Sequence, residues 1–351
     1  MNVVIRADAS VATGSGHVMR CLTLAGALRE RGAAVSFVSR AHSGHLGDSI
    51  SEQGFKVTLL PLADPTDPRA PWEEDGERTL DVLGQSGSGT DWLVVDHYDF
   101  DERWERIVRG SGARMMVIDD LADRPHDCDV LLDQNFDNPR HRRYAERVPA
   151  GTRQLLGTRY ALVRPEFSRQ REAALRRRDG RFARVLVTMG GSDPANDTAT
   201  VLAGLALRKG SELAVDVVVG NGNPHRQQIR DLCAAMGAQF HVQTNRMAEL
   251  MAQADLAING GGSTTWERCV VGLPALVAIQ SEDQEAIATA LGQLGAHRVL
   301  GWTRVLSGGD YAQALEALTA PERLRMSTIS ATLCDGGGAA RVADELMNWK
   351  G

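Results

Sequence analysis

Residues 6–20 read Arg-Ala-Asp-Ala-Ser-Val-Ala-Thr-Gly-Ser-Gly-His-Val-Met-Arg, which sets His17 directly behind Gly14 and Gly16. Val3, Val4 and Ile5 ahead of it read as a short buried strand. Over 18–31, apolar residues recur at Val18, Cys21, Leu22, Leu24, Ala25 and Leu28, a helical spacing. Strand, glycine-rich loop and helix in that order aim unpaired backbone N–H groups and a positive helix end at an anion, and the two glycines let it come close. In a first helical turn the dipole favours neutral imidazole, the form that accepts a proton. His17 is the candidate catalytic base. A Gly-x-Gly turn before a helix is also a common structural device, so neighbouring constellations matter.

The second constellation is 260–267, Gly-Gly-Gly-Ser-Thr-Thr-Trp-Glu, where a strand over 256–259 opens into a helix over 265–271. Gly261, Gly262, Ser263 and Thr264 offer backbone and hydroxyl donors without bulk, which suits a diphosphate. Glu267, about one turn into that helix, is placed for a ribose diol. A similar turn, Gly190-Gly191-Ser192, follows a strand over 185–188 in the same half of the chain. Neither turn continues as Gly-Lys-Ser/Thr, and neither is a Gly-x-Gly-x-x-Gly fingerprint, so ATP and NAD lose support. His42 and His45 have the spacing of a metal pair, and Asp119, Asp120, Asp123, Asp127 and Asp129 form an acidic string. Both lack the remaining ligands of a metal site and read as surface loop, with Asp96, Asp119 and Asp120 as hydrogen-bonding groups at strand ends.

The elements that must position these groups alternate. Strands read at 34–38, 57–60, 92–95, 114–118, 131–132 and 154–156, with helices near 46–53, 73–83 and 102–109 and a polar, proline-rich stretch over 61–71. Helix 168–178 is expected to join two domains. Strands at 214–219, 240–242 and 275–279 continue the second half. Ser192 or Asp193 before Pro194 reads as a helix start, and Asn245 as the cap of a helix over 247–254. The fold class expected is α/β: two doubly wound, Rossmann-like domains whose carboxyl strand ends face a cleft.

At 351 residues the chain has room for two cores. The net charge of −6, with Arg176, Arg177 and Arg178 as the one basic run, argues against a nucleic-acid partner. That run reads as a solvated helix end. The N-terminus enters a strand with no basic and apolar leader, and the longest apolar stretch, 270–279, is broken by Gly272 and Pro274, so neither a signal peptide nor a membrane span is expected. Five dispersed cysteines without a Cys-x-x-Cys pair read as reduced cytoplasmic thiols. The expected partner is a small molecule, with no membrane and no required protein partner.

Six blocks taken in order carry a family resemblance. They are 16–24 (Gly-His-Val-Met-Arg-Cys-Leu-Thr-Leu), 96–99 (Asp-His-Tyr-Asp), 118–124 (Ile-Asp-Asp-Leu-Ala-Asp-Arg), 160–167 (Tyr-Ala-Leu-Val-Arg-Pro-Glu-Phe), 187–194 (Val-Thr-Met-Gly-Gly-Ser-Asp-Pro) and 261–269 (Gly-Gly-Ser-Thr-Thr-Trp-Glu-Arg-Cys). Together, over residues 1 to about 345, the chain resembles the UDP-sugar hydrolases of pseudaminic acid biosynthesis. The resemblance implies a glycosyltransferase type B fold, related to the transferase that adds N-acetylglucosamine to lipid-linked peptidoglycan precursors. It also implies water attack on the anomeric carbon of UDP-2,4-diacetamido-2,4,6-trideoxy-β-L-altropyranose, releasing UDP and the free sugar with no metal or other cofactor. On matching positions it implies that His17 orients or deprotonates the water, that Arg6, Asp8 and Gly16 line the same loop, that Tyr98 lies near the sugar, and that Glu267 binds ribose. One departure stands out. Relatives often read x-Asn-Gln where this chain has Glu282-Asp283-Gln284, so Asp283 takes the place of an amide donor near the sugar or diphosphate.

The domains expected are 1–162 with the histidine loop, a connection over 163–181, 182–335 for UDP, and a segment over 336–351 that returns to the first domain as a helix. Beside the hydrolase stand two other readings: an inverting glycosyltransferase of the same fold, and a non-catalytic UDP-sugar sensor in which His17 binds rather than reacts.

Overall fold

The structure, a computed structural model, describes residues 1–11, 13–62, 71–85, 89–135, 143–208 and 213–350; most of the proline-rich stretch lies outside them. Two compact units form, one of Met1–Val163 with Gly337–Gly351, the other of Arg164–Gly336. The first unit runs β1 (Asn2–Ala7), α1 (Gly16–Glu30), β2 (Ala34–Arg40), α2 (Gly47–Glu52), β3 (Lys56–Leu60), α3 (Trp72–Gly84), β4 (Trp92–Asp96), α4 (Glu102–Val108), β5 (Arg114–Ile118), β6 (Val130–Asp133) and β7 (Arg153–Leu156). Its seven parallel strands lie in the order β3-β2-β1-β4-β5-β6-β7. Alternate residues feed two cores: Val3, Ile5, Trp92 and Val94 face α1, while Val4, Leu93 and Val95 face Trp104 and Phe100. Strands buried on both faces explain the continuous apolar runs in the sequence. Strand order reverses between β1 and β4, the switch point at whose carboxyl edge such sheets bind ligands.

The second unit runs α5 (Pro165–Arg177), β8 (Arg184–Thr188), α6 (Asp197–Leu207), β9 (Ala214–Val219), α7 (Arg226–Met236), β10 (Gln239–Val242), α8 (Met247–Gln253), β11 (Leu256–Gly260), α9 (Thr264–Val270), β12 (Ala275–Ile279), α10 (Glu282–Leu294), β13 (Arg298–Trp302), α11 (Gly308–Glu316) and α12 (Ala320–Leu333). Its six parallel strands follow the order β10-β9-β8-β11-β12-β13, with the reversal between β8 and β11. Edge strand β13 is half-buried throughout, so it carries no apolar run by which the sequence could announce it.

Local details differ from the sequence reading. Helix α6 starts at Asp197 instead of Pro194, because the Asp193 carboxylate reaches forward to accept the N–H groups of Asp197 (2.8 Å) and Thr198 (3.0 Å). Arg246, not Asn245, precedes α8, and Thr244 Oγ1 accepts its N–H. Within the basic run only Arg176 and Arg177 are solvated. Arg178 donates to the carbonyls of Met251 and Val271 and bonds that of Ala254, and burial pushes its guanidinium down to about 10. Helix α5 thus packs on α8 and α9 as part of the second unit.

The last helix, α13 (Gly338–Met347), belongs to the first unit and lies against α1. Its residues Ala339, Val342, Ala343 and Leu346 enter the core, and Trp349 meets Trp92 edge-on at 5.4 Å. A side chain at Gly338 would stand 2.2 Å from the Ala161 carbonyl, so only glycine allows this approach. Truncating Leu346 to Ala is expected to destabilise the first unit by about 2–5 kcal/mol, read by urea unfolding. A loss below about 1 kcal/mol, the size of an ordinary surface change, would show that α13 is not part of that core.

Candidate active site

Past β1 the chain makes a tight loop in which Gly14 N–H bonds the Ser10 carbonyl (2.9 Å) and Val11 N–H that of Ser43 (2.9 Å). Gly14 has a φ of 78°, which a side chain would resist. Its amide is engaged within the loop, so Gly14 shapes the turn, and the amide donors lie in the first turn of α1 from Gly16 onward. His17 is the second residue of that helix and its side chain is 13% exposed.

The partner of His17 comes from the neighbouring strand. Asp96, fully buried at the end of β4 and paired in register with Ala7, places Oδ1 2.6 Å from His17 Nδ1. Burial opposes its ionisation, but Arg20 and His17 outweigh burial and hold the carboxyl far below the usual range. Arg20 lies one turn after His17 and grips Asp96 with two bonds of 2.6 Å, while its Nη1 reaches Asp120 at 3.0 Å. An ionised carboxylate only accepts, so the neutral imidazole carries its proton on Nδ1, leaving the Nε2 lone pair free to take another. Tyr98 stands edge-on to the His17 ring with centroids 4.5 Å apart. Burial and the Asp120 carboxylate push its phenol up, so it stays a neutral donor.

Other candidates from the sequence sit deeper. Arg6 is fully buried and donates to Asp8 (2.5 and 2.8 Å) and Asp75 (2.6 and 3.1 Å), so it does not line the loop surface. Asp8 also accepts from Ser39 Oγ and Arg40 N–H, and His97 Nε2 lies 3.3 Å away. Both act beneath the loop as its foundation. His42 turns toward Asp8 at 3.7 Å while His45 Nδ1 accepts Gly47 N–H, so the two histidines do not converge.

In the second unit the candidate turns do gather at the switch point. Gly190, Gly191 and Ser192 follow β8 and are exposed; Gly261, Gly262, Ser263 and Thr264 follow β11. Gln280, at the end of β12, ties them by donating to the Met189 carbonyl (2.8 Å) and Asp197 (3.0 Å). Gln284 Oε1 accepts Gly261 N–H at 3.0 Å, so that amide is used inside the protein. Asp283 is exposed in the first turn of α10. Glu267 is 14% exposed and receives Arg164 Nε on Oε1 at 2.8 Å. Burial pushes its carboxyl up against the pull of Arg164. Sequence reasoning missed Arg20, Arg164 and Gln280. A signal for Arg20 was its i, i+3 position on the face of His17; nothing local announces the other two.

Residues 185–334 match the Glycosyltransferase family 28 C-terminal domain. The chain is similar to the spore coat polysaccharide biosynthesis protein SpsG of Bacillus subtilis, at 27% identity over 99% of this chain and 98% of that protein. It is also similar to the UDP-2,4-diacetamido-2,4,6-trideoxy-beta-L-altropyranose hydrolase of Campylobacter jejuni, at 24% identity over 84% and 97% of the two chains. Among solved structures, MurG of Acinetobacter baumannii superposes with a TM-score of 0.70 at 15% identity, with 99% of each chain covered. That last likeness is one of fold: two parallel-sheet α/β units of the glycosyltransferase type B kind.

The acidic string of the first unit is paired with cations. Asp127 and Asp129 pair with Arg109, and Asp123 with Arg124. Asp119 accepts from Ala122 N–H and Tyr144 and pairs with Arg124, and buried His126 lies 2.6 Å from Glu105 and 3.8 Å from Asp119. Among the described residues no group of three or more His, Cys, Asp or Glu is arranged to hold a metal. Burial opposes charge on His126, but the Asp119 and Glu105 carboxylates override it and raise the imidazole to about 9. A raised folded-state value gives stability that is full below the unfolded value of about 6.5 and is lost as pH rises through about 9. The expected contribution is on the order of 3 kcal/mol. Denaturant unfolding across that window should show His126→Gln losing the slope; an unchanged slope would assign the pH dependence elsewhere.

Proposed function

We propose that this chain hydrolyses a UDP-sugar to UDP and the free sugar, by water attack at the anomeric carbon. The observation that carries the reading is the His17 imidazole, held through Nδ1 by ionised Asp96 with Nε2 left as a base. Nε2 accepts a proton from water as its oxygen bonds the anomeric carbon, and the C–O bond to UDP breaks with its electron pair going to the diphosphate. Amides at the start of α1 stabilise charge that grows on the leaving group. Within the second unit, the glycine turns with Ser192, Ser263 and Thr264 are the candidates for the diphosphate and Glu267 for the ribose; within the first, Tyr98 beside the His17 ring is the candidate for the sugar. The step as written uses no cofactor.

For the sugar, we infer UDP-2,4-diacetamido-2,4,6-trideoxy-β-L-altropyranose, supported by the Campylobacter jejuni relative of that name and by the six sequence blocks. The product then enters pseudaminic acid biosynthesis. A second reading, an inverting glycosyltransferase, is favoured by the family 28 domain over 185–334. Incubating the protein with the UDP-sugar and no acceptor separates the two. Release of UDP supports hydrolysis; release only when an acceptor is added would replace it with transfer.

Two outcomes follow for the residues. In heavy-oxygen water the label should appear in the sugar and not in UDP. His17→Ala should lower kcat by about 10²–10⁴-fold, or roughly 3–5 kcal/mol of barrier, with UDP affinity nearly unchanged. Label in UDP would mean attack at phosphorus, and near-normal kcat would remove the base assignment. Glu267→Ala should chiefly raise KM, because ribose contacts are alike in ground and transition states. Losing hydrogen bonds to a carboxylate costs about 1.5–3 kcal/mol, so calorimetry should find UDP bound at least about tenfold more weakly. Equal binding would move the nucleotide site.

A further inference from the structure

Two neighbouring strands, β4 and β5, deliver a carboxylate each to α1, and with Arg20 these form one charge cluster. Asp96 comes from the end of β4 and Asp120 from just past β5. Arg20 on α1 spans them, with Nε and Nη2 on Asp96 at 2.6 Å each and Nη1 on Asp120 at 3.0 Å. Its Nη2 also lies 3.4 Å from His17 Nδ1, and both atoms are donors there, so the two face each other without a bond. Two carboxylates and one guanidinium leave an excess of one negative charge. A proton taken up by His17 would bring the cluster to neutrality.

We propose that Arg20 and Asp120 are positioning residues that act through the His17–Asp96 pair: Arg20 aims Asp96 at Nδ1, and Asp120 offsets the charge that Arg20 brings. The inference rests on His17 being the base. Without Arg20, Asp96 and Asp120 would face the ring with no guanidinium between them, Asp120 keeping only the neutral Tyr98 hydroxyl and Asp96 the Cys21 thiol beside His17, and the two would draw a proton onto the imidazole, filling the lone pair that must receive one from water. Without Asp120, Arg20 would confront the imidazolium as it forms with no compensating charge, raising the barrier. The two losses act in opposite directions on the same ring. Removing both residues together therefore restores a neutral His17 beside Asp96 alone.

A double-mutant cycle in kcat tests this, with Arg20→Met, Asp120→Asn and the pair. Each single variant should lose kcat by about tenfold or more while KM moves by less than about twofold, and the double variant should exceed Arg20→Met by about fivefold or more. Nitrogen chemical shifts of the His17 ring, recorded at neutral pH without substrate, should show Nδ1–H alone in the parent, both nitrogens protonated in Arg20→Met, and Nδ1–H alone again in the double variant. Should Arg20→Met not fold, Arg20→Lys keeps the charge but not the two-bond grip, and should lower the share of Nδ1–H. Additive losses in kcat, or a ring state unmoved by Arg20→Met or Arg20→Lys, would reduce the cluster to a strut for the strand ends. Because the ring measurement needs no turnover, it decides the proposal even if the parent protein hydrolyses nothing.

Discussion

A carboxylate at the buried end of a central strand cannot remain ionised unless cations are brought to it, and Asp96 is such a group. The cation comes from α1, where the Arg20 guanidinium grips both oxygens, and the neutral His17 ring adds an Nδ1–H donor to one of them. This requirement sets the pitch and seat of α1: its first turn must overlie β4, the neighbour of the strand it follows. The β1–β4 pairing, Ala7 opposite Asp96, makes that possible. Doubly wound topology thereby converts the reversal of strand order into a place where an imidazole and a carboxylate meet without adjacency in the sequence.

Below this layer lies a second set of charges whose work is support. Arg6 and Arg40 share Asp75, and Asp8 joins Arg6 to the ends of β1 and β2. Burying such a network gains little net stability over apolar packing, yet breaking one member strands its partners. It lies beneath the end of β1, from which the loop to Gly14 departs.

In the second unit two side-chain amides, Gln280 and Gln284, serve as linking groups. Gln280 and Gln284 bind the ends of β8, β11 and β12 through carbonyl and N–H partners, and Gly260 is packed so closely that a side chain would meet Gln280 at 2.1 Å. Carboxylates stand around the glycine turns as well: Asp193 and Asp197 accept bonds behind the first, Glu267 pairs with Arg164, and Glu282, Asp283 and Glu285 are exposed in the first turn of α10.

Period and glycine placement in the sequence determined the alternation of strands and helices, the two doubly wound sheets and the loops that begin at Gly14, Gly190 and Gly260, because these are local consequences of burial and backbone freedom. His17 was legible as a candidate for the same reason, being tied to its own loop. Which carboxylate meets His17, that Arg6 faces inward, that Arg164 reaches Glu267, and that β13 completes the second sheet were decided by tertiary structure alone. Each depends on strands or helices brought side by side across tens of residues, from 17 to 96 or from 164 to 267. A side chain's neighbours across a sheet are set by register and crossover, which no local pattern encodes.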